Sequence, residues 1–531
     1  MLNFFTCSIG FAHFRSAKLS FFGVPLLFQL ISCQNFEKNN SHKNVPDQNI
    51  NKGKILAATY CQSCHLLPDP SLLDAQTWET GVLPAMGPRF GIHSYGFQKY
   101  PSYKNDAGVP AGYYPDKQTI SHQDWQNIID YYTSLSPDTL TTKNREEKVS
   151  TALSTFKAVY PANKYTSPAI CLTRFDSSLH PNKLWLFDLA AQTFFTYEGI
   201  ASSPDTFKTT GSFVDIDFRN AVITGCNIDV INPNNGRFGK AEILANQAVS
   251  NSGIQQNVLI SGLARPVQIS SSDLNVDGKI DYLVCEFGHL TGALSWFEQT
   301  ANATYSRHVL RAEPGAIKAY VEDVNHDGLP DVWALFTQGD EGIFLFTNKG
   351  NGVFSQQQVL RFPSVYGSTH FELIDFNGDG HKDIIYTCGD NADFSLILKP
   401  YHGVYIYLND GLNNFKQEYF FHINGCYKSA ARDFDKDGDI DIATIAFFAD
   451  YATQPDEGFI YLENQGGFKF EPKTLPDCRS GRWLTMDTGD LDGDGKLDIA
   501  LGNFSIRPSV IQPTVDWTSG PQFLVLKNIA K

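Results

Sequence analysis

Asp490-Leu491-Asp492-Gly493-Asp494-Gly495-Lys496-Leu497-Asp498 is the last of five copies of the pattern D-x-[DN]-x-D-G-x-x-D. The others are Asp273–Asp281, Asp323–Asp331, Asp375–Asp383 and Asp433–Asp441, and the five starts are 50, 52, 58 and 57 residues apart. Carboxylates or amides at positions 1, 3, 5 and 9 alternate along the chain, and glycine at position 6 allows the sharp turn that brings them together. Hard oxygen donors in that arrangement suit Ca²⁺. The expected ligand sets are Asp273, Asn275, Asp277, Lys279 and Asp281; Asp323, Asn325, Asp327, Leu329 and Asp331; Asp375, Asn377, Asp379, His381 and Asp383; Asp433, Asp435, Asp437, Asp439 and Asp441; and Asp490, Asp492, Asp494, Lys496 and Asp498. The seventh residue of each set offers its backbone carbonyl. About five ions are expected, acting as structural staples. Seventeen aspartate side chains among these ligands would otherwise repel one another.

The flanks of the loops decide the architecture. Each loop is followed by an apolar strand such as Tyr282-Leu283-Val284 or Ile499-Ala500-Leu501. A second strand follows, often ending in Asn before a glycine turn: 343–348, 404–409, 459–464 and 523–528. A third begins at an aromatic residue: 305–310, 354–360, 415–421 and 468–475. With the strand before the loop this makes four per repeat, the unit of a β-propeller blade. Residues 166–207 and 208–262 carry strand patterns without a complete acidic loop, which brings the expected blades to seven. The last repeat supplies only three strands before Lys531, and an open edge there is a liability. Phe156-Lys157-Ala158-Val159-Tyr160 is expected to fill it and close the ring.

Upstream, Tyr60-Cys61-Gln62-Ser63-Cys64-His65 contains C-x-x-C-H. Two thiols one helical turn apart can add to haem vinyl groups, and the adjacent histidine supplies an axial nitrogen, so Cys61, Cys64 and His65 predict one covalent haem c. Met86, in Leu83-Pro84-Ala85-Met86-Gly87-Pro88, is the favoured sixth ligand; His93 is the runner-up, and His122 opens a later helix. That helix, 121–135, places Trp125, Ile128, Ile129 and Tyr132 on one face.

At the N-terminus, Arg15 and Lys18 precede an apolar run from Leu19 to Ile31, too short to span a bilayer. The run ends in Leu30-Ile31-Ser32-Cys33, which resembles a bacterial lipobox and predicts lipidation at Cys33. The expected organisation is a signal segment over 1–33, a tether over 34–50, a helical haem domain over 51–136, a charged linker over 137–153 and the propeller over 154–531. An exported chain meets disulfide-permissive conditions, with pairing among Cys171, Cys226, Cys285, Cys388, Cys426 and Cys478 left open. A net charge of −15 with no basic stripe excludes a nucleic-acid partner.

Aligning the five loops exposes a further pattern. Five residues before each first Asp stand Gln268, Lys318, His370, Lys428 and Thr485; eight before stand Arg265, three glycines and Arg482. These positions fall on the innermost strand, so Arg265, Lys318, His370, Lys428 and Arg482 form a candidate site for an anion or polar ligand at the channel mouth.

The repeats resemble FG-GAP (VCBS-type) repeats, as in the seven-bladed head of integrin α chains, and residues 51–136 resemble a class I cytochrome c. Together they resemble bacterial cytochrome c–FG-GAP lipoproteins. The resemblance implies an all-β seven-bladed propeller with a small all-α N-terminal cytochrome c domain, held by a lipid anchor at a periplasmic or cell-surface membrane. The expected function is electron transfer, with the propeller docking a redox partner protein. An extracytoplasmic oxidoreductase acting on a small polar or carbohydrate substrate is the first alternative, and an adhesion or scaffold protein is the second.

Overall fold

The computed structural model describes residues 44–141, 147–162, 165–199, 202–219, 222–244, 256–301, 304–392, 396–506 and 516–531. Cys33 and the apolar run before it lie outside these residues. Among the described residues no helix is long and apolar enough to cross a membrane.

Seven four-stranded antiparallel sheets dominate the chain. In order their inner strands are Ile170–Asp176, Phe213–Arg219, Pro266–Ser272, Ala316–Glu322, Ser368–Ile374, Cys426–Arg432 and Trp483–Gly489. Five of them run directly into an acidic loop, and the loop hands the chain to a second strand buried along its whole length, such as Asp383–Cys388. Burial on both faces follows from each sheet being sandwiched between neighbours. The two repeats without acidic loops form blades of the same topology, and Phe213–Arg219 pairs with Val222–Asn227 across a shortened turn. The protein is thus a seven-bladed β-propeller.

Ring closure is by the strand before the first blade. Phe156–Val159 pairs antiparallel with Phe523–Asn528, matching Phe156 to Asn528 and Val159 to Val525. Phe156 is buried, with its ring against Phe434 at 5.6 Å and Tyr461 at 5.5 Å. The chain just before it is engaged too. Ser150 N–H donates to the Pro472 carbonyl at 2.9 Å and the Ser150 carbonyl accepts from Thr474 N–H at 2.8 Å, so this part of the expected linker runs along the edge of the sixth blade.

The N-terminal segment is mostly helical. Asp47–Tyr60 begins right after Pro46, within the expected tether, and His122–Leu135 is capped by Ser121, whose hydroxyl accepts the Asp124 N–H at 3.0 Å. These two helices cross at Gly53, where an added Cβ would lie 1.8 Å from the Asn127 carbonyl oxygen. Trp125, Ile128, Ile129 and Tyr132 are buried in that contact region as their spacing predicts. Residues 75–90 form a broken helix. Its pieces include Leu83–Met86 and Gly87–Phe90, each started by a proline at its first or second position. Proline is tolerated there because those N–H groups have no helical acceptor.

The segment sits on one face of the propeller. Tyr401 O–H donates to the Leu72 carbonyl at 3.2 Å and Tyr113 O–H to the Leu290 carbonyl at 3.1 Å. Val365 and Ile397 join its apolar cluster. These propeller residues lie in second-to-third-strand and blade-to-blade connections. The acidic loops join first to second strands, so antiparallel order puts them on the opposite face.

Candidate functional site

Cys61 caps the C-terminus of the first helix, donating its N–H to the Ala57 carbonyl at 2.9 Å, and Cys64 follows one turn later. Both thiols are free; Cys61 is partly buried and Cys64 exposed. Burial, followed by the neighbouring Cys64, pushes the Cys61 thiol up to about 11. The His65 Nδ1 lies 2.9 Å from the Leu66 carbonyl oxygen and so donates to it, which leaves Nε2 as the ring nitrogen that a metal would use. Met86 packs into the same apolar cluster as Tyr60, Cys61, Leu67 and Phe90. The other methionine of the described residues, Met486, is wholly buried within the propeller core. Cys61 and Met86 against one apolar cluster, with the free Cys64 thiol and the His65 imidazole adjacent in the chain, form a donor set that fits a covalent haem. His93 lies against the Tyr114 ring, and His122 is exposed on the first turn of its helix.

The acidic loops share one internal architecture. In each, the ninth-position aspartate is buried: Asp281, Asp331, Asp383, Asp441 and Asp498. One of its oxygens accepts the N–H of the loop's second residue, and the other accepts the N–H of Gln299, Asn348, Asn409, Asn464 or Asn528 at the end of the third strand. The asparagines preceding the glycine turns are explained by their side chains: Nδ2 of Asn348, Asn409, Asn464 and Asn528 donates to the carbonyl of the loop's eighth residue, Pro330, Lys382, Ile440 and Leu497. Burial is the main cause pushing Asp441 up to about 7 and Asp498 up to about 6. Carboxylates of Asp433, Asp435 and Asp437 converge, as do those of Asp490, Asp492 and Asp494. In the fourth loop Asp433 Oδ1 and Asp439 Oδ1 are buried without a hydrogen-bond partner. Orphaned carboxylate oxygens among converging carboxylates fit a hard divalent cation. The first and last loops hold a lysine as well: Lys279 Nζ lies 2.7 Å from Asp277, and Lys527 pairs with Asp492.

The channel residues divide. All seven inner strands carry a register shift at the same place, between positions such as Ala316 and Lys318 or Ser368 and His370. The bulge re-aims the residue that follows it. Leu172, Asp215, Gln268, Lys318, His370, Lys428 and Thr485 therefore form one tier, which brings together the expected Lys318, His370 and Lys428. Many tier members reach the next blade's inner strand. Asp215 accepts the Ile269 N–H at 3.2 Å, Gln268 accepts the Ala319 N–H at 2.6 Å, and Lys428 Nζ donates to the Met486 carbonyl at 2.7 Å.

Arg265 and Arg482 are not in that tier. Both are fully enclosed. Arg265 donates to the Gly288 and Ile231 carbonyls, and Arg482 donates to the Phe447 carbonyl while lying 3.7 Å over the Phe447 ring. Their carbonyls accept the N–H groups of Phe287 and Phe504 just beyond the second strands, as Gly315 accepts Thr337. The position is a blade-entry turn, and its side chains are spent on backbone carbonyls rather than offered to a ligand. Residues two further along the strand do matter: Arg174 faces Asp215 at 3.6 Å, Glu372 pairs with Arg432 at 3.2 Å, and Asp487 accepts the Phe175 N–H at 2.8 Å. Strand alternation, carried one step beyond His370 and Thr485, would have found Glu372 and Asp487.

The six propeller cysteines are all free and buried. Desolvation raises every one of their thiols. They are core packing groups.

The FG-GAP-like repeat family matches residues 323–386 and 433–501, which take in four of the five acidic loops. The chain thus contains FG-GAP-like repeats within its propeller, a fold consistent with a docking or scaffold role. No curated protein matches the chain. Among solved structures, one described as YCF48 bound to D1 peptide is similar at 10% identity and a TM-score of 0.41, covering 72% of this chain and 97% of that one. Another, described as BBS1N in complex with ARL6DN and soaked with lead, is similar at 7% identity and a TM-score of 0.40, covering 71% and 98%.

Proposed function

We propose that this protein is an extracytoplasmic, membrane-anchored electron carrier whose propeller docks a redox partner. Cys61 and Cys64 would hold one haem c as thioethers, His65 and Met86 would be its axial ligands, and Cys33 would carry the lipid. When bound, the haem supplies a one-electron iron couple, and a filled sixth position favours electron transfer over oxygen chemistry. The observation that carries the reading is the state of C-x-x-C-H: two unpaired thiols at a helix end beside a histidine whose Nδ1 is engaged by the Leu66 carbonyl. The Leu66 carbonyl fixes the tautomer and orientation of that imidazole. Trp78, Tyr100 and Trp125 give the segment a water-poor apolar core. The five loops would hold Ca²⁺ on the opposite face of the propeller, where the cation joins each loop's carboxylates without taking part in redox chemistry.

The test is a reduced-minus-oxidised spectrum of the full chain, made in a host with haem c maturation. A haem band that survives denaturation and disappears in the Cys61→Ser/Cys64→Ser double variant supports the reading. A chain that matures without covalent haem overturns it. Met86→Ala should alter the sixth-ligand signature while His93→Ala leaves it unchanged. Reduction by a small polar substrate alone would favour an oxidoreductase over a carrier. Chelation should lower the melting temperature, and added Ca²⁺ should restore it.

A further inference from the structure

We propose that the channel tier formed by Lys318, His370 and Lys428 is a binding site for one small oxyanion. The three residues occupy the same register position on three consecutive inner strands, each just after the bulge that aims it. Most other charged side chains of the channel have partners. Arg174 is matched by Asp215, Arg432 by Glu372, and Asp487 is held by the Phe175 N–H. Asp217 accepts from the Ser271 hydroxyl. Lys428 spends one donor on the Met486 carbonyl and keeps two.

Lys318 and His370 are left over. The Lys318 ammonium lies 4.8 Å over the Tyr320 ring. Arg174 and Lys428 repel it, Asp215 and Glu372 attract it, and no ion pair or hydrogen bond holds it among the described residues. His370 is 8% exposed, and its buried Nδ1 has no hydrogen-bond partner. An enclosed polar group without a partner costs free energy, and an enclosed charge costs more. Water would satisfy donors yet leave the repulsion of Arg174 and Lys428 at Lys318 only partly offset by Asp215 and Glu372. An oxyanion answers both deficits: its oxygens accept from two ammoniums and the imidazole N–H, and its charge offsets the repulsion that remains at Lys318. Solvent reaches Lys318, which keeps partial exposure, so the tier is accessible along the channel. Burial, then the neighbouring Arg174, push the Lys318 amine down to about 8. A bound anion opposes that push, so binding near pH 8 takes up protons.

The site is independent of the haem reading, and its test does not require haem. Calorimetric titration of the full chain with inorganic phosphate, sulfate and acetate, in chloride buffers of different ionisation heat, is expected to show one saturable site with proton uptake near pH 8. Binding of phosphate and sulfate alone assigns a tetrahedral oxyanion; binding of acetate as well assigns oxyanions in general, and either supports the proposal. Lys318→Met and His370→Gln should each weaken binding by at least about tenfold, Lys318→Arg should retain it, and the surface change Lys52→Met should leave it unaltered. Absence of saturable binding in the wild-type chain, or unchanged affinity in folded Lys318→Met and His370→Gln, overturns the proposal.

Discussion

Replacing Lys318 with methionine should stabilise the protein near neutral pH and lose that advantage in alkali. The side chain keeps a similar length over the Tyr320 ring and discards a charge that no ion pair or hydrogen bond holds among the described residues. The amine is pushed from 10.5 down to about 8, by burial first and by the nearby Arg174 second. That difference corresponds to roughly 3 kcal/mol. Residual solvent contact along the channel reduces it, and ~2 kcal/mol is the expected gain at pH 7. The sign follows from proton binding. Between pH 8 and 10.5 the unfolded chain holds the Lys318 proton and the folded chain does not, so wild-type stability rises with pH through that window. The penalty is therefore complete below pH 8 and gone above 10.5, where both states are neutral. Denaturant melts of wild type and Lys318→Met in chloride buffer, at pH 7 and again near pH 10.5, read the effect as a difference that isolates this residue. A variant less stable than wild type at pH 7, or a gap of equal size at both pH values, would refute the reasoning.

Three further outcomes are expected. Phe156→Ala removes a buried ring from the closing strand and two edge-on aromatic contacts, so a loss of about 3–5 kcal/mol is expected, with faster proteolysis at 523–528; an unchanged denaturation midpoint would contradict the closure. Gly53→Ala places a methyl group against the Asn127 carbonyl and the Tyr131 side chain, which should cost about 1–3 kcal/mol in the N-terminal segment while the propeller transition stays put, as differential scanning calorimetry can resolve. Val276 adopts φ +59° at the fourth position of the first acidic loop, where the third and fifth loops carry Gly378 and Gly493 at φ +74° and +76°. Because a β-branched residue is strained there, Val276→Gly is expected to raise stability by up to about 1 kcal/mol, measured by thermal melting with and without Ca²⁺.

Much of the propeller was legible because its code is local. An acidic loop needs only nine consecutive residues, and its glycine at position 6 and buried ninth aspartate recur wherever the pattern does. The strands around it alternate or run apolar in step with their burial, so the repeat phase, the count of blades and the role of Phe156 could all be read before any tertiary contact was seen. C-x-x-C-H is local in the same way. The setting of Met86 was less legible, since Pro84 and Pro88, usual helix breakers, each sit at the start of a short helical turn.

The channel and the docked face depend on partners far apart in the chain. Arg265 and Arg482 share an offset with glycines, and offset alone could not show that the position is a turn whose guanidiniums are spent on neighbouring carbonyls. Nor could it reveal a bulge repeated in all seven inner strands, since a bulge is a mismatch between two strands and exists only once they pair. The acidic loops, the strand patterns around them and the Phe156 segment thus determined, from sequence, that residues 154–531 are a propeller closed by the strand that precedes its first blade. Tertiary structure decided which basic residues meet in the channel, and that the C-x-x-C-H segment rests on the face opposite the acidic loops, because both depend on side chains fifty or more residues apart finding, or failing to find, a partner.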